Sequence, residues 1–193
     1  MRDGQTGEKD IADVLTSNAL VIEFQHPHLD PKDRAAREAF YKEMVWVVNG
    51  ARLKNDYQRL LKAKSNFRVI KTGIYNVELS DACFPEAWLT SLMPVVFDFR
   101  RNEASEYIDD MREYLYCLFP IDILKSAVFA VLSRDSFVSL TRNGQWTSWV
   151  VNSIKEVLHY KKYMAFLATR QRQQQKQALL AKLRSPARYK KYR

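Results

Sequence analysis

The stretch from Ile11 to Gly50, IADVLTSNALVIEFQHPHLDPKDRAAREAFYKEMVWVVNG, decides the fold. Between Lys9 and Gln25, IADV and LVIEFQ are β-rich, and TSNA between them has turn chemistry, so the spacing predicts two paired strands. PHLDPKD then sets a helix start, with Asp30 as N-cap, Pro31 at the first helical position and Asp33 in the first turn. From Lys32 to about Met44 the apolar residues Ala35, Ala36, Ala39, Phe40 and Met44 recur at helical spacing. VWVVNG reads as a buried strand that stops at Asn49-Gly50. Strand, strand, helix, strand is an α/β order.

The reading extends outward from there. RLKNDYQRLLKAK is expected as an exposed helix. FRVIKTG and IYNVEL are expected as a strand pair, FPEAWLTSL as a short helix and PVVFDF as a buried strand. Asn102 to Leu118 reads as a helix, with Tyr107, Tyr114 and Tyr116 as packing residues. AVFAVLS and SFVSLT read as strands broken near SRD. From Trp146 one helical pattern runs to about Arg184. No internal repeat is present.

The chain has 193 residues, 47% hydrophobic and 27% charged, enough for a sizeable core without covalent staples. Cys83 and Cys117 sit among apolar neighbours with no metal-ligand spacing, which predicts buried free thiols in a reducing compartment. MRDGQTGEKD is polar, and no apolar run approaches a membrane span, so the expected location is the cytoplasm. The net charge of +9 is uneven. From Lys161 to Arg193 there are eleven cations and no acid: Lys161, Lys162, Arg170, Arg172, Lys176, Lys182, Arg184, Arg188, Lys190, Lys191 and Arg193. Tyr163, Phe166, Tyr189 and Tyr192 lie among them. Cations neutralise phosphates and aromatic rings stack on unpaired bases, so this segment is expected to touch nucleic acid. A solvated helix with a charged terminus is the plain alternative. An anionic membrane surface is disfavoured because the segment lacks a strong apolar face.

Two acids sit inside the β-rich runs. Ile11, Asp13 and Leu15 share one strand face, and Val21, Glu23 and Gln25 share one face of the next. The acids either face water on an ordinary hairpin or converge with Gln25 on one side of the paired strands. A buried carboxylate needs a compensating charge. Two carboxylates, a backbone carbonyl and water form the all-oxygen set that Mg²⁺ accepts.

Asp13, a spacer of ten, then Glu23-Phe24-Gln25 resembles the PD-(D/E)XK nuclease superfamily, with Gln in the usual Lys position. The wider pattern is similar to the nuclease domain of the competence protein CoiA-like family. It comprises Ala12-Asp13-Val14, Glu23-Phe24-Gln25, the helix segment Arg37 to Tyr41, and Trp46-Val47-Val48. The match covers residues 9–50. Asp10 stands where relatives have His. The superfamily core begins with a helix and strand ahead of the Asp strand. With twelve residues before Asp13, either the true start lies upstream or the chain is an N-terminally short relative.

The resemblance implies an α/β fold with a restriction-endonuclease-like mixed sheet flanked by helices, here with a long basic C-terminal helix. It implies a nuclease core over 1–50, the remainder of the globular domain over 51–160 and a basic nucleic-acid-binding tail over 161–193. The implied activity is metal-dependent hydrolysis of DNA, in competence or recombination. Asp13, Glu23 and the Phe24 carbonyl would hold Mg²⁺ or Mn²⁺. Gln25 would orient the attacking water or contact the phosphate, as a neutral amide. Arg37 and Tyr41, at i and i+4, either touch phosphate or brace Glu23 and Gln25, or as a structural pair simply pack and hydrogen-bond. His26 and His28 are expected in a loop, His159 in a helix, and Asp98 in a capping or salt-bridge role. Two other readings stand beside this one. One is a noncatalytic nucleic-acid-binding protein that keeps a nuclease-like fold. The other is a recombination or competence partner that recruits proteins through residues 84–160.

Overall fold

The computed structural model describes residues 12–25, 29–51, 55–78, 83–100, 110–121 and 126–184. It divides into two compact units, 1–154 and 155–193. The first holds eight strands: β1 (Val14–Leu15), β2 (Val21–Gln25), β3 (Met44–Asn49), β4 (Arg68–Lys71), β5 (Ile74–Glu78), β6 (Val95–Asp98), β7 (Tyr114–Leu118) and β8 (Ser126–Ser133). They form one sheet in the order β1-β2-β3-β6-β7-β8-β5-β4. β2, β3 and β6 run parallel, and every other pairing is antiparallel. The helices are α1 (Pro31–Phe40), α2 (Asp56–Ala63), α3 (Glu86–Leu89), α4 (Arg134–Arg142) and α5 (Trp146–Arg184). This is the expected α/β class: a mixed sheet, helices around it and a long C-terminal helix.

The parallel centre follows from composition. Strands covered on both faces need apolar residues at every position, and β3 (MVWVVN) and β6 (VVFD) supply them. One face carries Val21, Trp46, Phe97, Tyr116 and Phe129 and forms the main core. Val45, Val96, Cys117 and Val128 on the other face are also buried. The two edge strands are short, two and four residues, which limits unwanted edge pairing.

α1 begins as expected. The Asp30 carboxylate accepts from the Lys32 N–H at 2.7 Å and Pro31 opens the helix. It ends at Phe40, four residues before the expected limit, because Tyr41 turns extended (φ −97°, ψ 111°). Met44 opens β3, pulled there by the β-branched run that follows. α2 is amphipathic and not exposed all round: Asp56, Leu60 and Ala63 are buried.

Two expectations are corrected. Tyr114–Leu118 is strand β7, preceded by a short 3₁₀ turn at Met111–Glu113, and residues 101–109 with Tyr107 lie outside the described set. The sequence YLYCL satisfies both periods, and burial between β6 and β8 settles it as strand. Tyr116 is buried there, whereas Tyr114 is exposed. SFVSLT is helix α4. Ser133 caps it, accepting from the Ser136 N–H at 3.1 Å, and Phe137 and Thr141 are buried one turn apart. Cys83 and Cys117 are both buried and free, as expected. Burial pushes the Cys117 thiol far above its ordinary range. Among the described residues no helix is long and apolar enough to cross a membrane.

Candidate functional site

The β1–β2 hairpin places the two acids. The turn between the strands holds Ala19 at φ 64°, and the Ala19 N–H and the Leu20 N–H both donate to Thr16 oxygens. The register pairs Val14 with Ile22 and Leu15 with Val21. Continued by one position, it sets Asp13 across from Glu23, on the same side of the sheet. Glu23 lies on a face with Val21 and Gln25, and all three are buried, while Phe24 points the other way and is exposed.

The Val21 N–H donates to Glu43 O, towards β3. Alternate residues therefore turn their peptide groups to opposite neighbours, and Phe24 directs its own towards β1. The β1 ladder reaches only Val14, so beyond it the Asp13 carboxylate takes the Phe24 N–H, Oδ2 accepting at 2.8 Å. Asp13 is itself exposed. The side chain thus extends the sheet where the strand ends.

α1 supplies the countercharge. Arg37 donates from its guanidinium to Glu23 Oε2 at 2.9 Å, and the Glu23 side chain is only 2% exposed against 36% for Arg37. This ion pair fits both a bracing role for Arg37 and plain structural hydrogen bonding. Tyr41 is buried, edge-on to Phe40 at 4.9 Å between centroids.

Asp13 and the Phe24 peptide are therefore in contact at the open end of the hairpin, and the continued register sets Glu23 opposite Asp13. Their chemistry fits a hard divalent cation, which takes carboxylate, carbonyl and water oxygens. Among the described residues no three His, Cys, Asp or Glu side chains form a ligand cluster. A cation at this edge would rest on two carboxylates, one carbonyl and water, and would share Glu23 with Arg37.

A second buried network on α1 was not visible in the sequence. Glu38 accepts from Trp46 Nε1 at 3.1 Å, Ser91 Oγ at 2.7 Å and the Leu92 N–H at 3.0 Å. Arg34 lies beside it at 3.4 Å, donates to the Ala87 carbonyl and to Thr90 Oγ1, and sits over the Trp88 ring. This tie fixes the orientation of α1, and so the height at which Arg37 meets Glu23. The signal available was the Arg34–Glu38 spacing of one turn. Asp98 has the salt-bridge role, accepting from Arg134 at 2.5 Å and from the Arg100 N–H. His26 and His28 lie outside the described residues, and His159 is exposed on α5.

On α5, Lys162, Arg170, Arg172, Lys176 and Lys182 are exposed, and Lys161 is half-buried with its ammonium pKa lowered by that burial. The helix ends at Arg184, and Arg188, Lys190, Lys191 and Arg193 lie outside the described residues. No family model, no curated protein and no solved structure matches the chain.

Proposed function

We propose that this chain is a metal-dependent nuclease that hydrolyses DNA phosphodiester bonds, with a restriction-endonuclease-like core and the C-terminal helix supplying grip on the polymer. The observation that supports it most is the hairpin register: continued by one position it sets Asp13 opposite Glu23, and Asp13 Oδ2 accepts from the Phe24 N–H. Asp13, Glu23 and the Phe24 carbonyl would hold Mg²⁺ or Mn²⁺. Held there, such an ion would supply the acidified water and the charge stabilisation that phosphodiester hydrolysis needs. Gln25, on the Glu23 face, orients that water through its amide. Arg37 donates to the Glu23 carboxylate and balances its charge. Its partly exposed guanidinium adds a cation where Gln25 supplies none. The resemblance sets this activity in cytoplasmic competence or recombination, with proteins of those processes as partners.

The test is cleavage of single- and double-stranded DNA in Mg²⁺ or Mn²⁺ by wild type, Asp13→Asn and Glu23→Gln. Metal-dependent cutting that both substitutions abolish supports the assignment; equal cutting by all three proteins rejects it. A second reading, a noncatalytic nucleic-acid-binding protein, is favoured by two specific contacts. Arg37 already compensates Glu23, and the Phe24 N–H already engages Asp13, with no ion required. That reading predicts salt-sensitive DNA binding with no cleavage in either metal.

A further inference from the structure

Helix α5 carries one face of unusual composition in the unit from Lys155 onward. At helical spacing of three and four, His159, Lys162, Tyr163, Phe166, Arg170 and Gln173 fall within an arc of about 100°. All six are exposed, Phe166 at 61% and Tyr163 at 54%. An aromatic ring left in water on a helix face is costly unless something covers it. Between Leu158 and Gln177 the aliphatic residues Leu158, Met164, Ala165, Leu167 and Ala168 all lie off this arc, so over that length the face offers rings and cations but no aliphatic seam. No acid follows Glu156 in the chain.

We propose that this face binds single-stranded nucleic acid. Lys162 and Arg170 meet phosphates, and unpaired bases stack on Phe166 and Tyr163. His159 and Gln173 donate hydrogen bonds at either end. From His159 to Gln177 the helix spans about 27 Å, room for several nucleotides. A duplex keeps its bases stacked on each other and leaves the two rings without a partner. A protein helix packed here needs an aliphatic seam, which this face does not present. The inference deepens the nucleic-acid reading above and rests on it for setting, but not on the hairpin site for its geometry.

The experiment measures binding of the full chain to labelled oligothymidine of about 20 nucleotides, by fluorescence anisotropy in EDTA, against a duplex of equal length. EDTA separates this from cleavage, so loss of binding and loss of nuclease activity are scored independently. Wild type is expected to prefer the single strand. Phe166→Leu and Tyr163→Leu should each weaken it about fivefold or more, while Phe166→Trp retains it. Arg170→Gln should flatten the slope of log affinity against log salt by about 0.7. These residues are exposed, so helix content by circular dichroism should not change. The proposal is overturned if the leucine variants bind as wild type does. It is also overturned if the duplex binds as tightly as the single strand, or if polyglutamate of equal charge competes as well as the oligonucleotide.

Discussion

The Arg37–Glu23 pair gives the sharpest handle on the hairpin site. Substituting Arg37→Met keeps a long stem on α1 and removes the charge 2.9 Å from Glu23 Oε2. Breaking a fully buried pair from one side costs about 3–5 kcal/mol. Here Glu23 is buried but Arg37 is over a third exposed, so solvent absorbs part of the loss and about 2–3 kcal/mol is expected near neutral pH. In urea that moves the unfolding midpoint by roughly 1 M or more at typical slopes. Adding Glu23→Gln removes the stranded charge, and the double variant should regain at least about 1 kcal/mol. Acidity supplies a second check. In the single variant the folded state disfavours the carboxylate, so the Glu23 pKa is raised on folding. The stability from holding that proton is present at low pH and lost as pH rises through the folded value. The Arg37→Met deficit should therefore shrink from about pH 8 to about pH 5. A deficit below about 0.5 kcal/mol that is also pH-independent would refute the reasoning, because the Glu23 charge would then be held by something other than Arg37.

Glu38→Ala strands the donors of Trp46, Ser91 and Leu92 together with the Arg34 charge, and should cost about 3–5 kcal/mol by denaturant unfolding, well above an exposed acid such as Glu86. Gly50→Ala puts a methyl group 2.7 Å from the buried Phe99 ring and should cost about 1–3 kcal/mol in the same assay. Tyr57 donates to Asp110 at 2.8 Å, and burial together with that carboxylate pushes its phenol from 10.0 up to about 12. The resulting stability is full below pH 10 and falls as pH rises towards 12. Tyr57→Phe should flatten that alkaline slope in pH-dependent unfolding.

What the sequence revealed was what local chemistry decides. The Asp30-Pro31 helix start, the stop of β3 at Asn49-Gly50 and the extent of α5 from Trp146 to Arg184 depend on nearby residues, and each stands as read. The strand β7 and the helix α4 were misread for opposite reasons. YLYCL satisfies the helix and the strand period alike and takes its state from the strands on either side. SFVSLT looks β-branched and alternating, yet the Ser133 cap and the Phe137/Thr141 spacing make it a helix. At the hairpin, the shared buried face of Val21, Glu23 and Gln25 was legible because strand alternation relates them. The Arg34–Glu38 tie was not, since its partners at Ala87, Thr90, Ser91 and Leu92 lie more than fifty positions away.

The account rests on a divalent ion held between Asp13 and Glu23, and isothermal titration of Mn²⁺ into the full chain measures that directly. Wild type should take up Mn²⁺ at this site, with uptake lost in Asp13→Asn and Glu23→Gln while both stay folded. Absence of uptake by wild type, or uptake unchanged in both variants, would contradict it.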